Sequence, residues 1–468
     1  MKVAVIGGGI AGVSAAYELA RAGVDFTLYE ASHRLGGIVE TVRRDGFVIE
    51  CGPDSWVTEK PWARELAVEL GLEDEILPSN DAQRRTYIVQ GRQLVAMPDG
   101  LRMMVPTKWE PLLRSPLFSE QAKLAYQREP ERAEELKESV PDYDESVASF
   151  VRRHFGDEVT DTIAAPLLAG VFGGSIDLLS VRAVMPAFVK MEREHGSLIA
   201  ALKASTRSGE SAAIFTTLKS GLQTLIDRMV AALPASSIRF GEAVIGLEGN
   251  GLKWLVRTAA TAEAFDAVVM ATPADGTRSL LAPLDSAFDE LLAMDASSAI
   301  VVALAFAPEK AKSLRIPVGF GFLVPQVQAN VHQDPQLLAC TFVDQKFSHR
   351  APEDAVLLRA FFGGEAAPRL LDAPEDEILS LARRQLSTLL GPLPEALFTV
   401  VRRWPRSLPQ YAVGHLERMK RLEERVRAFP GLHLIGNAYY GVGLPDLVRQ
   451  GRETARRVVA PTPPVLSL

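Results

Sequence analysis

A glycine-rich turn close to its start constrains the fold of this chain more than any other feature. The turn reads GGGIAG over residues 7–12 and matches the pattern G-x-G-x-x-G. Residues 3–6 before it are all apolar, as a strand buried on both faces of a sheet requires. Apolar residues at helical spacing follow over residues 10–22. Strand, turn and helix in this order predict the start of a βαβ unit that binds a dinucleotide.

Each residue of the turn has a task in such a unit. Gly7 permits the tight turn, Gly9 lets the backbone approach a pyrophosphate, and Gly12 lets the helix pack close to the strand. Ile10 and Ala11 open the helix, whose free N–H groups face the phosphates. The turn therefore predicts a pyrophosphate site at the helix N-terminus.

The acid that ends the second predicted strand narrows the choice of dinucleotide. Residues 26–29 form a largely apolar strand, and Glu30 follows it, eighteen residues after Gly12. An acid at this place accepts hydrogen bonds from a ribose hydroxyl and disfavours a 2′-phosphate. NADP is therefore disfavoured, which leaves NAD and FAD.

The residues that follow Glu30 indicate FAD. They include Arg34, Gly36 and Gly37, and an acid, an arginine and paired glycines in this order resemble the extended FAD fingerprint of the superfamily of amine oxidases and porphyrinogen oxidases. Arg34 can reach a phosphate or a nearby carboxylate with bidentate geometry. The two glycines allow the backbone to lie close to the flavin.

Further stretches resemble FAD-contacting segments of the same superfamily. Residues 47–55 resemble its second FAD segment, residues 270–273 its return to the FAD domain, and residues 435–446 its C-terminal motif, where a helix begins. A helix N-terminus under the flavin stabilises negative charge on the reduced ring and so favours hydride acceptance. The cofactor contacts that this resemblance implies are Gly52, Pro53, Ser55, Val244, Thr272, Trp404, Gly436, Asn437, Val442, Gly443 and Leu444.

Several stretches resemble the porphyrinogen oxidases in particular. They lie at residues 170–180, 195–197, 319–325, 346–347, 362–364, 404–415 and 441–446, and they are spread over nearly the whole chain. That family oxidises a porphyrinogen, protoporphyrinogen IX or coproporphyrinogen III, to the porphyrin in haem biosynthesis. The resemblance therefore implies an enzyme that passes a hydride to FAD and uses O2 as electron acceptor, with release of H2O2.

Candidate substrate-binding residues follow from the same resemblance. Arg85 precedes a predicted strand where the family often has a substrate-binding arginine, and the adjacent Arg84 is an alternative. Gly170 and Phe172 are expected to line the substrate pocket. No pair of acid and base that must act in catalysis is evident, and His415 is either a proton relay or a packed histidine.

The predicted fold class is α/β, with an α+β substrate domain. The expected parts are a discontinuous, Rossmann-like FAD domain, a mixed-sheet substrate domain and a helical domain. Their predicted ranges are 1–77, 207–275 and 405–460 for the FAD domain, 78–100 and 276–404 for the substrate domain, and 101–206 for the helical domain.

Composition excludes several classes of partner. The net charge of −7 argues against nucleic acid, whose binding needs clustered Lys and Arg. Two cysteines, Cys51 and Cys340, are too few for a disulfide framework, and we expect them to be small buried hydrophobes. The seven histidines are scattered singly, so a metal site is not predicted.

The N-terminus lacks the pattern of a secretion signal, and no apolar run reaches the roughly 20 residues of a membrane span. We therefore expect a cytoplasmic protein. The apolar and basic stretch over residues 101–118 leaves open a peripheral contact with the inner membrane face, against the alternative of an ordinary core helix. Homodimer formation is left open as well.

Two other functions remain alternatives. An amine oxidase or carotenoid desaturase would use the same scaffold, and Tyr439 and Tyr440 leave open the aromatic cage that amine oxidases place around the flavin. A flavin-binding protein without turnover would carry the same cofactor motifs.

Overall fold

A computed structural model gives the structure of residues 1–205, 213–326 and 334–460. Residues 206–212, where the predicted helical and FAD domains meet, lie outside the described residues. Two large sheets and a group of helices make up most of the described part.

A five-stranded parallel sheet holds the glycine turn. Its strands, in spatial order, are Ile238–Phe240, Asp25–Glu30, Lys2–Ile6, Ala267–Met270 and Leu432–Leu434. All of these pairings are parallel, with Val3 beside Phe26 on one side and beside Ala267 on the other. Val3 is fully buried, because both faces of the sheet are covered. The Rossmann-like sheet that the glycine turn predicts is confirmed.

Helices cover one face of this sheet. They are Ile10–Arg21, Trp62–Glu69, Gln223–Ala231 and Leu444–Val459. The first and last of them touch backbone to backbone, since a Cβ on Gly451 would lie 2.3 Å from the carbonyl oxygen of Ala11. Further along, Arg456 lies 2.8 Å from Glu18. The contacts advance in the same direction along both helices, so the two run parallel and begin at the same edge of the sheet.

The other face packs against a smaller sheet and three helices. These elements are the antiparallel strands Val244–Gly249, Trp254–Thr258 and Ala262–Phe265 and the helices Ala274–Leu281, Ala287–Leu291 and His415–Val426. Trp254, Phe288 and Met419 from these elements share one apolar cluster with Ala4 of the parallel sheet. Residues 276–291 therefore pack with the parallel sheet, although the proposed domain boundary falls before them, and the three domain ranges stay a prediction.

The second large sheet has seven strands and is mixed. Its strands, in spatial order, are Phe398–Pro409, Ala296–Phe306, Val356–Phe362, Leu337–Phe342, Gly321–Leu323, Thr86–Gln90 and Gln93–Ala96. The pairing of Gly321–Leu323 with Thr86–Gln90 is parallel, and the other pairings are antiparallel. The helix Glu375–Leu390 contributes Ile378 and Leu386 to its apolar cluster. The predicted mixed sheet is thus confirmed.

A group of helices forms the third part. They are Trp109–Arg114, Glu120–Arg128, Ala133–Glu138, Val147–Phe155, Asp157–Val159, Ala165–Phe172, Val181–Val184, Pro186–His195 and Leu198–Ser205, with a π-helical turn at Thr160–Ala164 and a 3-10 turn at Glu129–Arg132. Residues 101–118 supply Met104, Leu112 and Phe118 to their buried core. Seven of the 18 residues in this stretch are buried, so it contributes to the core, while contact with a membrane stays a prediction.

The remaining elements are short. They are the strand pairs Thr41–Arg44 with Phe47–Glu50 and Leu101–Arg102 with Val105–Pro106, the three-stranded sheet of Trp56–Val57, Phe215–Leu218 and Ile76–Pro78, the helices Pro308–Ala311, Val343–Lys346 and Ala366–Leu370, and the 3-10 turns Glu73–Glu75, Asp81–Gln83 and Ala235–Ser237. Within the described ranges, no helix combines the length and the apolar character that crossing a bilayer demands. Cys51 and Cys340 are both buried and free, as predicted.

Candidate functional site

The glycine turn lies at the carboxyl edge of the parallel sheet. Gly7 has a φ of 108°, and a Cβ there would lie 2.7 Å from the carbonyl oxygen of Ala271. A Cβ on Gly12 would lie 1.9 Å from the carbonyl oxygen of Gly7, whereas a Cβ on Gly9 would meet no described atom within 4 Å. Packing of the chain therefore explains Gly7 and Gly12, while Gly9 leaves room that a pyrophosphate would fill.

Glu30 holds this turn from the neighbouring strand. Its Oε2 accepts the backbone N–H of Gly8 at 2.8 Å, and its Oε1 accepts that of Ser32 at 2.7 Å. The two hydrogen bonds fix the orientation of a half-buried carboxylate. Each oxygen keeps further acceptor capacity, so the geometry fits the predicted contact with ribose hydroxyls.

The second glycine pair lies directly on the first turn. The N–H of Gly36 donates to the carbonyl oxygen of Gly8 at 2.8 Å. A Cβ on Gly37 would lie 3.2 Å from the Cα of Gly9. The two glycine turns, predicted separately from the sequence, are thus brought together around one site.

The side chain of Arg34 binds backbone carbonyl groups of the second glycine turn. Its guanidinium donates to the carbonyl oxygen of Val39 at 3.1 Å and to that of Gly37. The carboxylate of Glu40 lies 3.8 Å away. Arg34 is therefore held at the rim of the predicted cofactor site, with a carboxylate within reach as its sequence position suggests.

The second FAD segment lies between the second glycine turn and the seven-stranded sheet. A Cβ on Gly52 would lie 1.9 Å from the carbonyl oxygen of Ile38, so only glycine fits there. Trp404, from the seven-stranded sheet, donates through Nε1 to the carbonyl oxygen of Cys51 at 2.6 Å. Ser55 donates its hydroxyl to Asp54 at 2.7 Å. Gly52, Pro53, Ser55 and Trp404, all predicted cofactor contacts, therefore share one junction.

The C-terminal glycine motif reaches the same edge as the first turn. The N–H of Gly436 donates to Gln450 at 3.2 Å, and the amide of Asn437 donates to the carbonyl oxygen of Ser407 at 2.9 Å. Val442 and Gly443 precede the last helix, which begins at Leu444 and has no side-chain cap. Because the first and last helices run parallel, both N-termini offer their free N–H groups at one edge.

Two further predicted contacts border this edge. The N–H of Glu242 donates to the carbonyl oxygen of Glu30 at 3.1 Å, which brings the nearby Val244 to the end of that strand. Thr272 follows the strand Ala267–Met270, and its hydroxyl lies 2.8 Å from the hydroxyl of Thr277. The structure therefore collects the predicted cofactor residues from seven separate stretches of chain, although their contacts with FAD stay a prediction.

His415 is a packed histidine. Its ring stacks on that of Tyr411 at 3.9 Å, and its Nε2 lies 2.9 Å from the carbonyl oxygen of Tyr439. Burial lowers the pKa of His415, so the neutral ring donates its Nε2–H to that carbonyl. Tyr411 in turn donates to the carbonyl oxygen of Asn437 at 2.7 Å. Tyr411 and His415 therefore hold the backbone of the C-terminal glycine motif through hydrogen bonds.

Five charged residues meet beside the second FAD segment, and we name them the buried charge cluster: Glu50, Asp54, Lys346, Arg350 and Arg359. Asp54 accepts Nζ of Lys346 with both carboxylate oxygens, at 3.0 and 2.9 Å, and lies 3.2 Å from Arg359. Burial by itself raises the pKa of Asp54, but the charges of Lys346 and Arg359 outweigh burial and hold it well below its ordinary range. Asp54 is therefore ionised.

Glu50 and Arg350 form the second half of the cluster. They lie 3.0 Å apart and are both almost completely buried. Glu50 also accepts the N–H of Leu222 at 2.8 Å and the hydroxyl of Thr41 at 2.7 Å. Burial raises the pKa of Glu50 in spite of these partners. Arg350 donates to the hydroxyl of Thr217 at 2.6 Å, so the cluster ties residues 50–54 to the small three-stranded sheet and, through Arg359, to the seven-stranded sheet.

A cleft of about 160 Å³ opens beside Lys346. The other residues that line it are Thr86, Phe215, Phe320, Gly321, Phe322, Leu323, Ala339, Cys340 and Thr341. The walls come mainly from three adjacent strands of the seven-stranded sheet, and Lys346 is the one charged residue among the described residues that line them. Because Lys346 also binds Asp54, the cleft adjoins the second FAD segment.

None of the three predicted substrate-binding residues lines this cleft, although each lies on or directly before an element next to it, and their role stays a prediction. Arg85 is exposed and precedes Thr86 of the cleft wall, and its carbonyl oxygen accepts the N–H of Phe320 at 2.8 Å. Gly170 and Phe172 lie on the helix Ala165–Phe172, which packs against the strands Gly321–Leu323 and Leu337–Phe342. Gly170 is exposed, whereas the ring of Phe172 is buried against Tyr411 at 6.0 Å.

Sequence reasoning assigned no role to the buried charge cluster. One signal was present: Arg359 lies in the middle of the apolar strand Val356–Phe362. A charged residue at such a position is buried and therefore needs a partner. The sequence did not indicate that this partner is Asp54, which lies in a different part of the chain.

The fold and the paired glycine turns define the class of protein, a flavoprotein of the dinucleotide-binding kind. A family model described as flavin containing amine oxidoreductase matches residues 10–459. The chain belongs to this family and is an FAD-dependent oxidoreductase. The open space at Gly9 and the two helix N-termini fit FAD.

Similar proteins span the full length of the chain. Coproporphyrinogen III oxidase of Bacillus subtilis (strain 168) is 34% identical over 96% of both chains. Coproporphyrinogen III oxidase of Staphylococcus aureus (strain NCTC 8325 / PS 47) is 31% identical, with 98% of this chain and 99% of that one covered. A crystal structure from Exiguobacterium sp. 255-15, to which protoporphyrinogen oxidase activity has been ascribed, has a TM-score of 0.84 at 32% identity, and 98% of each chain is covered.

Proposed function

We propose that this flavoprotein oxidises a porphyrinogen to the porphyrin, with coproporphyrinogen III as the preferred substrate. The observation that carries the proposal is the apolar cleft beside Lys346, at the junction that holds the second FAD segment. A macrocycle that is apolar and carries acidic side chains needs such apolar walls with a few cations. The two relatives named coproporphyrinogen III oxidase support the choice of substrate.

The reaction removes six hydrogens from the macrocycle. Bound FAD supplies a two-electron acceptor that O2 reoxidises with release of H2O2, so about three rounds complete the conversion. Phe215 and Phe320 exclude water from the edge of the macrocycle that enters the cleft. We propose that Arg85, at the end of the cleft wall, pairs with a propionate there, and that the exposed face of the helix at Gly170 borders the remainder.

The cofactor-binding residues act by position. We propose that the N–H groups of the first helix hold the pyrophosphate and that Glu30 accepts a ribose hydroxyl. The N-terminus of the last helix, at Leu444, places partial positive charge at the same edge of the sheet, where it favours an electron-rich ring.

The tyrosines that left an amine oxidase open do not form a cage around a common space. Tyr439 is 3% exposed and packs in the core of the parallel sheet, with its hydroxyl 3.5 Å from Thr277. Tyr440 is 39% exposed, and Glu423 accepts its hydroxyl hydrogen. One ring is in the core and the other at the surface, which favours the porphyrinogen over an amine.

The test is anaerobic reduction of the purified yellow protein. Coproporphyrinogen III should bleach the flavin absorbance near 450 nm, about tenfold faster than protoporphyrinogen IX if one further pair of carboxylates is recognised. Faster bleaching by protoporphyrinogen IX would reverse the substrate preference. Bleaching by putrescine or benzylamine alone would favour an amine oxidase, and no bleaching by any of them would favour a protein without turnover.

The contribution of Arg85 is tested by substitution. Arg85→Ala should raise the KM for the porphyrinogen and leave the FAD content unchanged. Arg84→Ala tests the alternative that this neighbour, which lies 3.3 Å from Asp81, binds the propionate instead, and Arg92→Ala, at an exposed arginine beyond the far end of the same strand, is the control. An unchanged KM for the Arg85 variant would remove this residue from the site.

A cytoplasmic location, contact with the inner membrane face and homodimer formation stay predictions, and sedimentation with and without anionic vesicles tests the last two.

A further inference from the structure

We propose that Lys346 binds a carboxylate of the substrate inside the cleft. The inference rests on the proposed function, because it names the side chain that recognises the acidic groups of a porphyrinogen. Its basis is the arrangement of charges around Asp54.

One carboxylate is shared by two cations. Asp54 accepts Nζ of Lys346 with both oxygens, and the guanidinium of Arg359 lies 3.2 Å from the same carboxylate. Glu50 does not supply the missing negative charge, because Arg350 lies 3.0 Å from it. The buried charge cluster therefore holds at least one positive charge more than it holds negative charges.

The surplus is also visible in the hydrogen bonds. Nε and one terminal nitrogen of Arg350, and Nε of Arg359, have no hydrogen-bond partner among the described residues. A buried surplus of positive charge is costly unless an anion compensates it. An anion placed at this cluster would therefore be bound tightly.

Only one of the two cations around Asp54 is available to a ligand in the cleft. Arg359 is 1% exposed and donates to the carbonyl oxygen of Gly52 as well as pairing with Asp54. Lys346 lines the cleft, with 12% of its side chain exposed. An ammonium group has three N–H donors, and two of them go to Asp54. The third is left for a ligand.

The surroundings of Nζ strengthen such a contact. The ring of Phe215, which also lines the cleft, has its centroid 4.8 Å from Nζ, and that of Phe347 lies 5.1 Å away. These rings keep water from the ammonium group, and an ion pair gains strength where water is excluded. A carboxylate that enters the cleft therefore meets a cation which Asp54 orients and only partly neutralises.

The test uses the porphyrin product, whose binding does not depend on turnover. Affinities of the FAD-loaded protein for coproporphyrin III and for its tetramethyl ester are measured by quenching of porphyrin fluorescence in the same detergent. The wild-type protein should bind the acid more tightly than the ester. In Lys346→Met the affinity for the acid should fall about 10-fold or more while that for the ester stays within about twofold.

Two further variants are compared with Lys346→Met. Lys346→Arg keeps the charge and should restore most of the preference for the acid. Lys312→Met, at an exposed lysine elsewhere in the same part of the chain, is the matched control and should change neither affinity. Lys346→Met leaves Asp54 paired with Arg359, so the buried acid keeps a cation, and the FAD absorbance and circular dichroism of the variant verify that it is folded.

The outcomes separate this inference from the proposed function. If the wild-type protein oxidises coproporphyrinogen III but binds acid and ester equally, Lys346 does not recognise a carboxylate. The same holds if Lys346→Met leaves the ratio of the two affinities unchanged and instead shifts the midpoint potential of FAD, since the surplus charge then serves the flavin. If the wild-type protein binds neither porphyrin and oxidises neither porphyrinogen, the proposed function itself fails.

Discussion

The carbonyl oxygen of Gly7 lies 1.9 Å from the place where a Cβ on Gly12 would be. Gly12→Ala must therefore push the first helix away from the glycine turn that precedes it. The clash is with backbone, so the cost should lie at the upper end for an overpacked site, about 3 kcal/mol of unfolding free energy. Thermal denaturation and the ratio of absorbance at 450 and 280 nm should show lower stability and lost FAD.

Gly246→Ala is the matched control for this prediction. A Cβ at Gly246 would lie 3.6 Å from the side chain of Arg257, an ordinary contact. This variant should keep both its melting temperature and its FAD. Equal behaviour of the two variants would mean that the turn adapts to a methyl group.

Glu30 should matter more for the cofactor than for the fold. Glu30→Ala removes the acceptor for the N–H groups of Gly8 and Ser32 and for a ribose hydroxyl. The dissociation constant of FAD, measured by the fluorescence of released flavin, should rise about 10-fold or more. Glu248→Ala, which removes an exposed partner of Arg257, should leave it unchanged. An unaltered dissociation constant in Glu30→Ala would place the ribose elsewhere.

Gly451 allows the first and last helices to touch. Replacing glycine by alanine inside a helix favours the helix by about 1 kcal/mol. Gly451→Ala should nevertheless lower the unfolding free energy by about 2 kcal/mol, because its Cβ would lie 2.3 Å from the carbonyl oxygen of Ala11. Chemical denaturation measures the change. Glu453→Ala, at an exposed position of the same helix, should cost less than about 0.5 kcal/mol.

His154 should make the stability of the helical part depend on pH. It is fully buried, with Nδ1 2.9 Å from Glu129 and Nε2 3.0 Å from Glu192. Burial alone lowers the pKa of His154, but the hydrogen bonds to the two glutamates outweigh it and raise the pKa above its ordinary value of 6.5. The two glutamates therefore favour the protonated ring, in which both nitrogens donate.

A histidine whose pKa is higher in the folded state than in the unfolded state stabilises the fold fully below pH 6.5. This stabilisation is lost as the pH rises through the pKa of the folded state. Urea denaturation should therefore show that the unfolding free energy falls as the pH rises above 6.5. His154→Gln should cost about 3 kcal/mol at pH 6 and flatten the pH dependence. His195→Gln, at an exposed residue of the same helical part, should leave the slope as in the wild-type protein. A slope in His154→Gln equal to that of the wild-type protein would assign the pH dependence to other groups.

The sequence predicted the elements whose cause is local. A wholly apolar strand, a glycine turn and a helix with apolar residues at helical spacing each depend on residues that are neighbours in the sequence. The parallel sheet, its first helix and the last helix could therefore be predicted. The second glycine pair was also foreseen, but that it lies on the first turn, with Gly36 bonded to Gly8, is a matter of tertiary packing.

The buried charges could not be predicted in the same way. Ion pairs between distant segments form only when those segments pack, and no periodicity in the sequence links their positions. Examples are the pair of Asp54 with Arg359 and that of Glu129 with His154. The burial of the Phe172 ring against Tyr411 has the same origin, since Tyr411 lies far along the chain. Sequence reasoning therefore located the cofactor turns and left the charges of the cleft to the structure.

The order of strands in the parallel sheet has a consequence for biosynthesis. The strand Lys2–Ile6 emerges from the ribosome first, yet one of its neighbours, Ala267–Met270, and the edge strand Leu432–Leu434 are made much later. The two helix N-termini can meet only after the last helix, Leu444–Val459, has left the ribosome. The first two strands lack one neighbour each until Ile238–Phe240 and Ala267–Met270 have been made, with their edges exposed to aggregation. Capture of the cofactor is therefore expected to follow the synthesis of the last helix, long after the first glycine turn has been made.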